Sequence, residues 1–220
     1  MLLLRCLTAC RDILPGELVL TERCLFWGPV QTPACVACLD TSCKLDYSLC
    51  VCCGYPLCPE HQEDPGIHQE ECSLLAQAEG SALEDVEDQY LVLRVIRCLL
   101  YMADHKLDKS GVRGDAQVIG VEWLVELVKQ VDQFKKEDIL MAIDLVLYNC
   151  LDDYSNDGLP SKRGFYPSSN LVENSCISNT RNIIDGNCLE CRATVHITAG
   201  QTITTCLVDP LLDVYTRYIE

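Results

Sequence analysis

Eight cysteines and two histidines are packed between Cys35 and Cys72, and their spacing limits what that stretch can become. Cys35-x2-Cys38 is one thiol pair and Cys50-x2-Cys53 is a second. Cys58 follows, then His61, then His68-x3-Cys72. Two residues between cysteines let both sulfurs reach one ion from a tight turn. Eight candidate ligands suit two tetrahedral sites, and mixed thiolate and imidazole donors without redox demand suit zinc. In a cross-braced arrangement alternate pairs share an ion. The first site is then Cys35, Cys38, Cys58 and a ligand near His61, and the second is Cys50, Cys53, His68 and Cys72. Cys43 and Cys52 are spare thiols. The alternative is a cluster of unliganded buried cysteines. The stretch holds too few apolar residues for a core of its own, so metal has to replace one. Closed four-ligand sites leave no open position, which indicates a structural role for both ions.

The whole chain has 220 residues and 17 cysteines. A disulfide-rich secreted chain would be shorter and would spread its cysteines more evenly. The opening Met1-Leu-Leu-Leu-Arg5 is too short for the apolar segment of an export signal. Arg94 and Arg97 interrupt the most apolar run, Tyr90 to Met102, so no membrane span is expected. These features point to a reducing, intracellular setting. The formal net charge of −16 argues against direct nucleic-acid binding, which needs clustered Lys and Arg. It favours a basic, lysine-rich partner or is simply a solvated acidic surface.

Strand patterns occupy both ends, with helices between them. Leu2 to Ala9 is mostly apolar, Leu14-Pro-Gly-Glu17 signals a turn, and Leu18 to Leu25 alternates as a strand does. Ser81-Ala-Leu-Glu84 has the form of a capping box opening a helix to about Ala103, with Leu91, Val95, Cys98 and Leu99 on one face. A loop from Asp108 to Gly114 precedes a second helix, about Ala116 to Phe134, and a third runs from Glu137 to Cys150. Asp152 to Pro167 reads as a polar loop. Short strands are expected around Asn182 to Ile184, Leu189 to Ile197 and Thr202 to Leu207, with a turn at Ala199-Gly200. The pattern predicts one mixed α+β domain whose sheet draws on both ends of the chain.

Several motifs, in order, resemble the SET and MYND domain protein family, particularly its arthropod-type branch. Ala9-Cys-Arg-Asp-Ile-Leu-Pro-Gly-Glu17 resembles the family's opening "ATRDIxPGE", and Leu25-Phe-Trp-Gly-Pro29 its "PLxxGP". Cys53-Gly-Tyr-Pro-Leu-Cys58 is similar to "CGWPxC" of the MYND finger, and Gly164-Phe-Tyr-Pro167 to "GLYP". Ser175-Cys176-Ile-Ser-Asn179-Thr180 resembles the end of "NHSCxPNT", and Arg192-Ala193, Ile197 and Gly200 resemble "RAxxxIxxGExI". The resemblance implies a SET β-fold split by a two-zinc MYND finger and a helical insert. It places the N-terminal part of SET at 1–34, the finger at 35–72, the helical insert at 73–152 and the C-terminal SET core at 153–220. Family members transfer a methyl group from S-adenosylmethionine to protein lysines, mainly by orienting the amine in a narrow channel. Their fingers bind proline-containing peptides, and they occur in cytoplasm and nucleus.

The departures from that pattern fall in the first zinc site and, more heavily, in the methyl-transfer site. The family's C-x3-C would put a cysteine at Gln62. His61 can replace it, and a half-occupied first site is the alternative. The glycine-rich "GRGLxA" aligns with Leu4-Arg5-Cys6-Leu7-Thr8-Ala9, where both glycines are gone and side chains obstruct a close approach. Arg5 and Cys6 are nevertheless the family's cofactor positions, as are Glu173 and Asn174, which replace its "NH" pair. Leu207 takes the place of the catalytic tyrosine, and the chain ends at Glu220 without the family's post-SET cysteines. The expectation is a monomeric zinc-organised protein or peptide interaction module with little or no methyl transfer. An active S-adenosylmethionine-dependent lysine methyltransferase, or a fragment of one, is the alternative. Cys188-x2-Cys191 reads as core thiols, Asn149 as a hydrogen-bonding position, and His105 and His196 as surface residues.

Overall fold

The structure is a computed structural model that describes residues 6–31, 34–38, 47–105, 121–154 and 160–207. Arg5, Cys43 and the loop expected from Asp108 to Gly114 lie outside the described residues. In chain order the elements are strands β1 (Leu18–Arg23), β2 (Trp27–Pro29), β3 (Ser48–Leu49) and β4 (Pro56–Leu57). Helices α1 (Pro59–Glu63), α2 (His68–Gln77), α3 (Val86–Asp104), α4 (Glu122–Val128) and α5 (Lys136–Tyr148) follow. Strands β5 (Cys150–Tyr154), β6 (Pro160–Phe165), β7 (Glu173–Asn174), β8 (Thr180–Asp185), β9 (Cys188–Ala193) and β10 (Thr204–Thr205) complete the described chain. The protein is therefore mixed α and β, and its described residues fall into two compact units.

The first unit comprises 6–24 and 166–207. Its three-stranded antiparallel sheet has the order β1-β9-β8, so it joins the two ends of the chain as the patterning predicts. Gly186 and Asn187 close the β8–β9 hairpin, and Gly186 has φ +57°, as a two-residue hairpin turn favours. Ala9, Ile13, Ala193 and Ile197 form a small core, with Val19 packed against it. β7 and β10 pair in parallel, Glu173 opposite Thr204 and Asn174 opposite Thr205. Asn179 holds that pairing from the side. Its Nδ2 donates to the Thr202 carbonyl at 2.9 Å, and its Oδ1 accepts from Thr204 N–H at 2.8 Å.

The second unit holds the other elements, including the sheet β2-β6-β5. Every residue of α3 from Tyr90 to Leu99 is buried, because the helix packs on α2, α5 and β2. Gly28 on β2 is required by that packing, since a Cβ there would meet Arg94 Cγ at 2.7 Å.

The structure corrects five expectations. The polar stretch from Asp152 to Pro167 contributes to strands β5 and β6, because pairing satisfies its backbone and its charges pair across the strands, Arg163 with Asp152 and Lys162 with Asp153. The single predicted domain divides into two units, since β2, β5 and β6 build their own sheet. Ser81 does not cap α3. Asp85 does, accepting from Glu87 N–H at 2.7 Å, while Ser81 lies in a short 3-10 turn. Of the apolar stretch from Leu2 to Ala9, the described residues form no strand, and Thr8 makes an isolated bridge to Thr202. The second helix stops at Val128, well before Phe134.

Candidate metal centre

Each pair of thiols sits on a short element that fixes its direction. Val36, inside the Cys35–Cys38 turn, donates its N–H to the Pro56 carbonyl at 3.0 Å. The Cys50–Cys53 turn follows β3 and is closed by Gly54, whose N–H donates to the Cys50 carbonyl at 2.8 Å. Gly54 has φ +78°, and a Cβ there would also meet Ser81 Oγ at 2.6 Å, so only glycine fits. Ser81 Oγ donates to the Cys53 carbonyl at 2.6 Å. Cys58 precedes α1, which brings His61 back over it one turn later. On α2, His68 and Cys72 are four residues apart and share a face.

The eight side chains gather into two groups, and the chain pairs interleave. Cys35, Cys38, Cys58 and His61 form one group, and Cys50, Cys53, His68 and Cys72 the other. In each, the donor atoms all lie within 4.8 Å of one another. Around a tetrahedral zinc with ordinary bond lengths, sulfurs stand about 3.8 Å apart and sulfur and nitrogen about 3.6 Å apart. Cys38 and Cys58 sulfurs are 3.5 Å apart, and His61 Nδ1 lies 3.4 Å from Cys38 and 3.1 Å from Cys58. Cys50 and Cys72 sulfurs are 3.6 Å apart, and His68 Nε2 is 3.4 Å from Cys53. Both donor sets therefore have the chemistry and the spacing to hold an ion. Gln62 points away and donates to the Leu57 carbonyl at 3.2 Å, which leaves His61 as the fourth donor of the first group. Cys52 is exposed.

Crowding of thiols and imidazoles displaces proton affinities in both directions. Burial raises the Cys58 thiol, but hydrogen bonds from the His61 ring and backbone, then from Cys38 and Cys35, bring it down to about 6. Burial likewise raises Cys50, and donors from the Cys53 backbone, His68, Cys52 and Cys72 lower it to about 6. Cys72 is pushed up by burial and by its sulfur neighbours. Burial lowers His68, yet Cys53, Glu71 and Cys50 lift it to about 10. Thiolates crowded this closely repel one another unless a proton or a metal lies between them.

The positions assigned to the cofactor and to catalysis lie in the other unit. Leu7 N–H donates to the Leu171 carbonyl at 3.1 Å, Ile203 N–H to the Leu7 carbonyl at 2.9 Å, and Glu173 N–H to the Ile203 carbonyl at 3.3 Å. This ladder sets Cys6, Glu173 and Asn174 along one exposed edge. Leu207 N–H donates to Asn174 Oδ1 at 3.1 Å. Among the remaining candidates, Cys191 is buried and donates to Thr180 Oγ1 at 3.2 Å, and Cys188 lies 3.3 Å from Thr21 Oγ1. Asn149 is buried, and its Nδ2 donates to the Asp144 carbonyl at 3.3 Å. His105 stacks on Tyr101, and His196 faces Asp12 at 3.9 Å. The sequence motifs missed Glu71 and Arg97, which stand behind His68; two charged residues on otherwise apolar helix faces were the only signal.

No protein-family model and no curated protein matches this chain. Among solved structures, it is similar to one described as the SET domain of LSMT bound to lysine and AdoHcy, with 10% sequence identity and a TM-score of 0.34. The match covers 92% of this chain and 46% of that one, so the chain spans less than half the length of the solved relative. At that score the side chains of the two clusters must carry the functional reading. No helix among the described residues is long and apolar enough to cross a membrane.

Proposed function

We propose that the chain is a SET–MYND-type protein in which two structural zinc ions organise a peptide-binding finger, and in which methyl transfer is weak or absent. The interleaving of the two donor groups carries this reading: Cys35 and Cys38 meet Cys58 and His61, while Cys50 and Cys53 meet His68 and Cys72. In this reading the finger spans 35–72, inserted in a SET β-fold made from 1–34 and 153–220, with 73–152 as the helical insert. Zinc supplies the finger's cohesion and takes no part in chemistry. The net charge of −16 supports a basic peptide partner, and the family resemblance a proline-containing one. Leucine at 207 supports weak catalysis, because it has no oxygen with which to orient an amine.

Zinc quantification and calorimetry test the proposal together. Purified protein should hold two zinc ions per chain and bind a basic, proline-containing peptide. Cys50→Ala should lose one ion and all peptide heat; unchanged peptide binding in that variant would refute the finger's role. Titration with S-adenosylmethionine should give no heat at millimolar concentration. Micromolar binding would put an active lysine methyltransferase first. The ladder that sets Cys6, Asn174 and Leu207 along one edge is the observation that favours that second reading.

A further inference from the structure

Arg97 belongs to none of the sequence motifs, yet its guanidinium meets supports of both clusters. Its Nε and Nη2 donate to Glu71 Oε2 and Oε1 at 2.5 and 2.6 Å. Glu71 Oε1 also lies 3.2 Å from His68 Nδ1, on the far side of the ring from the Nε2 that faces Cys53. The same Nη2 donates to the Val36 carbonyl at 2.7 Å, and Val36 lies inside the Cys35–Cys38 turn. Nη1 donates to the Trp27 carbonyl at 2.7 Å, and the guanidinium stands 4.9 Å over the Trp27 ring. Arg97 and Glu71 are both more than nine-tenths buried.

We propose that Arg97 is a positioning residue for both metal clusters. It acts on the second through Glu71 and His68, and on the first through the Val36 carbonyl. The inference rests on the reading that the clusters hold zinc. A histidine that offers Nε2 to an ion keeps its remaining proton on Nδ1. A carboxylate accepting that proton fixes both the tautomer and the plane of the ring. Glu71 is in place to do this, and a buried carboxylate persists only when it is paired. Arg97 pairs it through two parallel N–H bonds, leaving further donors for two backbone carbonyls. Only a planar guanidinium serves a carboxylate and two carbonyls at once; a lysine ammonium has neither the fork nor the reach. In the first cluster, the Val36 N–H is bound by Pro56 and its carbonyl by Arg97, so both polar groups of that residue are tied down between two ligands.

The test is zinc release to a metallochromic chelator from wild type, Glu71→Gln, Arg97→Met and the double variant. Release is read as two equivalents, one assigned to His68 by its ring ¹⁵N shift. Outer hydrogen-bond partners of metal-bound histidines are worth about 10–100-fold in affinity. Glu71→Gln should weaken the His68 equivalent by that factor and leave the other unchanged. Arg97→Met should weaken both. Added to Glu71→Gln, it should weaken only the first cluster further, because its route to His68 is already cut. A simple loss of stability would weaken both equivalents alike in Glu71→Gln, and that result would overturn the proposal. So would release of both equivalents within about twofold of wild type in every variant. If Arg97→Met does not fold, Arg97→Lys, which keeps the charge and loses the fork, is read in its place. A wild-type chain that binds no zinc would overturn the zinc reading itself, an outcome distinct from normal zinc content with unchanged release.

Discussion

Single side chains join the cysteine-rich segment to the helices behind it. Tyr90 on α3 donates its hydroxyl to the Ala34 carbonyl at 3.2 Å and accepts from the Ala34 N–H at 2.9 Å, beside the Cys35–Cys38 turn. Burial, opposed by the Ala34 hydrogen bond, pushes its phenol up to about 12. A folded-state value above the unfolded one stabilises fully below about pH 10 and is lost as pH rises through 12. Phenolate absorbance and circular dichroism followed together from pH 9 to pH 13 should therefore show late ionisation coinciding with loss of structure. Ionisation of every tyrosine near pH 10 with structure intact would contradict this. Ser81, read from sequence as a helix cap, instead donates to Cys53 in the second turn. Ser81→Ala should accelerate zinc release while changing the helix little.

Among the elements, α3 shows most clearly where local patterning ends. Its apolar run and its length follow from the sequence, but its cap is Asp85, whose carboxylate accepts from Glu87 and Asp88 N–H. Asp85→Ala should cost about 1 kcal/mol in urea denaturation, as loss of a side-chain cap does. An effect below a few tenths of a kcal/mol would show that packing alone holds the helix start. Two arginines interrupt the apolar run in the middle of this helix. Both are buried, because Arg94 donates to the Pro29 carbonyl and Arg97 is enclosed by Glu71, Trp27 and Val36. Burial lowers Arg94 to about 10, still well above neutral pH, so it remains a cation in the core.

For the molecule as a whole, the two units draw their cohesion from different sources. The unit of 6–24 and 166–207 has a paired sheet and its own small core. On the proposed reading the segment 35–72 of the other unit relies on metal, since among its described residues little beyond Tyr55, Leu57 and Val36 is apolar and buried. Chelation of zinc should abolish amide protection from Cys50 to Cys72 while the β1-β9-β8 amides remain protected. Hydrogen exchange with and without chelator reads this directly. Uniform loss across both units would show that the metal holds the sheet as well.

The sequence by itself determined seven of the donors, their order and the number of groups they could form, because ligand identity and CxxC spacing are local properties. Through element order and periodicity it also pointed to a sheet that draws on both ends of the chain and to the apolar face of α3. Only the tertiary structure decided that His61 and not Gln62 faces Cys38 and Cys58, since residues three and four along a helix both return to the same face and neighbouring groups choose between them. It also decided that Cys150–Tyr154 pairs antiparallel with Pro160–Phe165, because a polar stretch carries no apolar alternation from which a strand can be read. The meeting of Glu71 and Arg97 behind His68 came from the fold as well: residues 26 positions apart acquire a shared purpose only when two helices pack against each other.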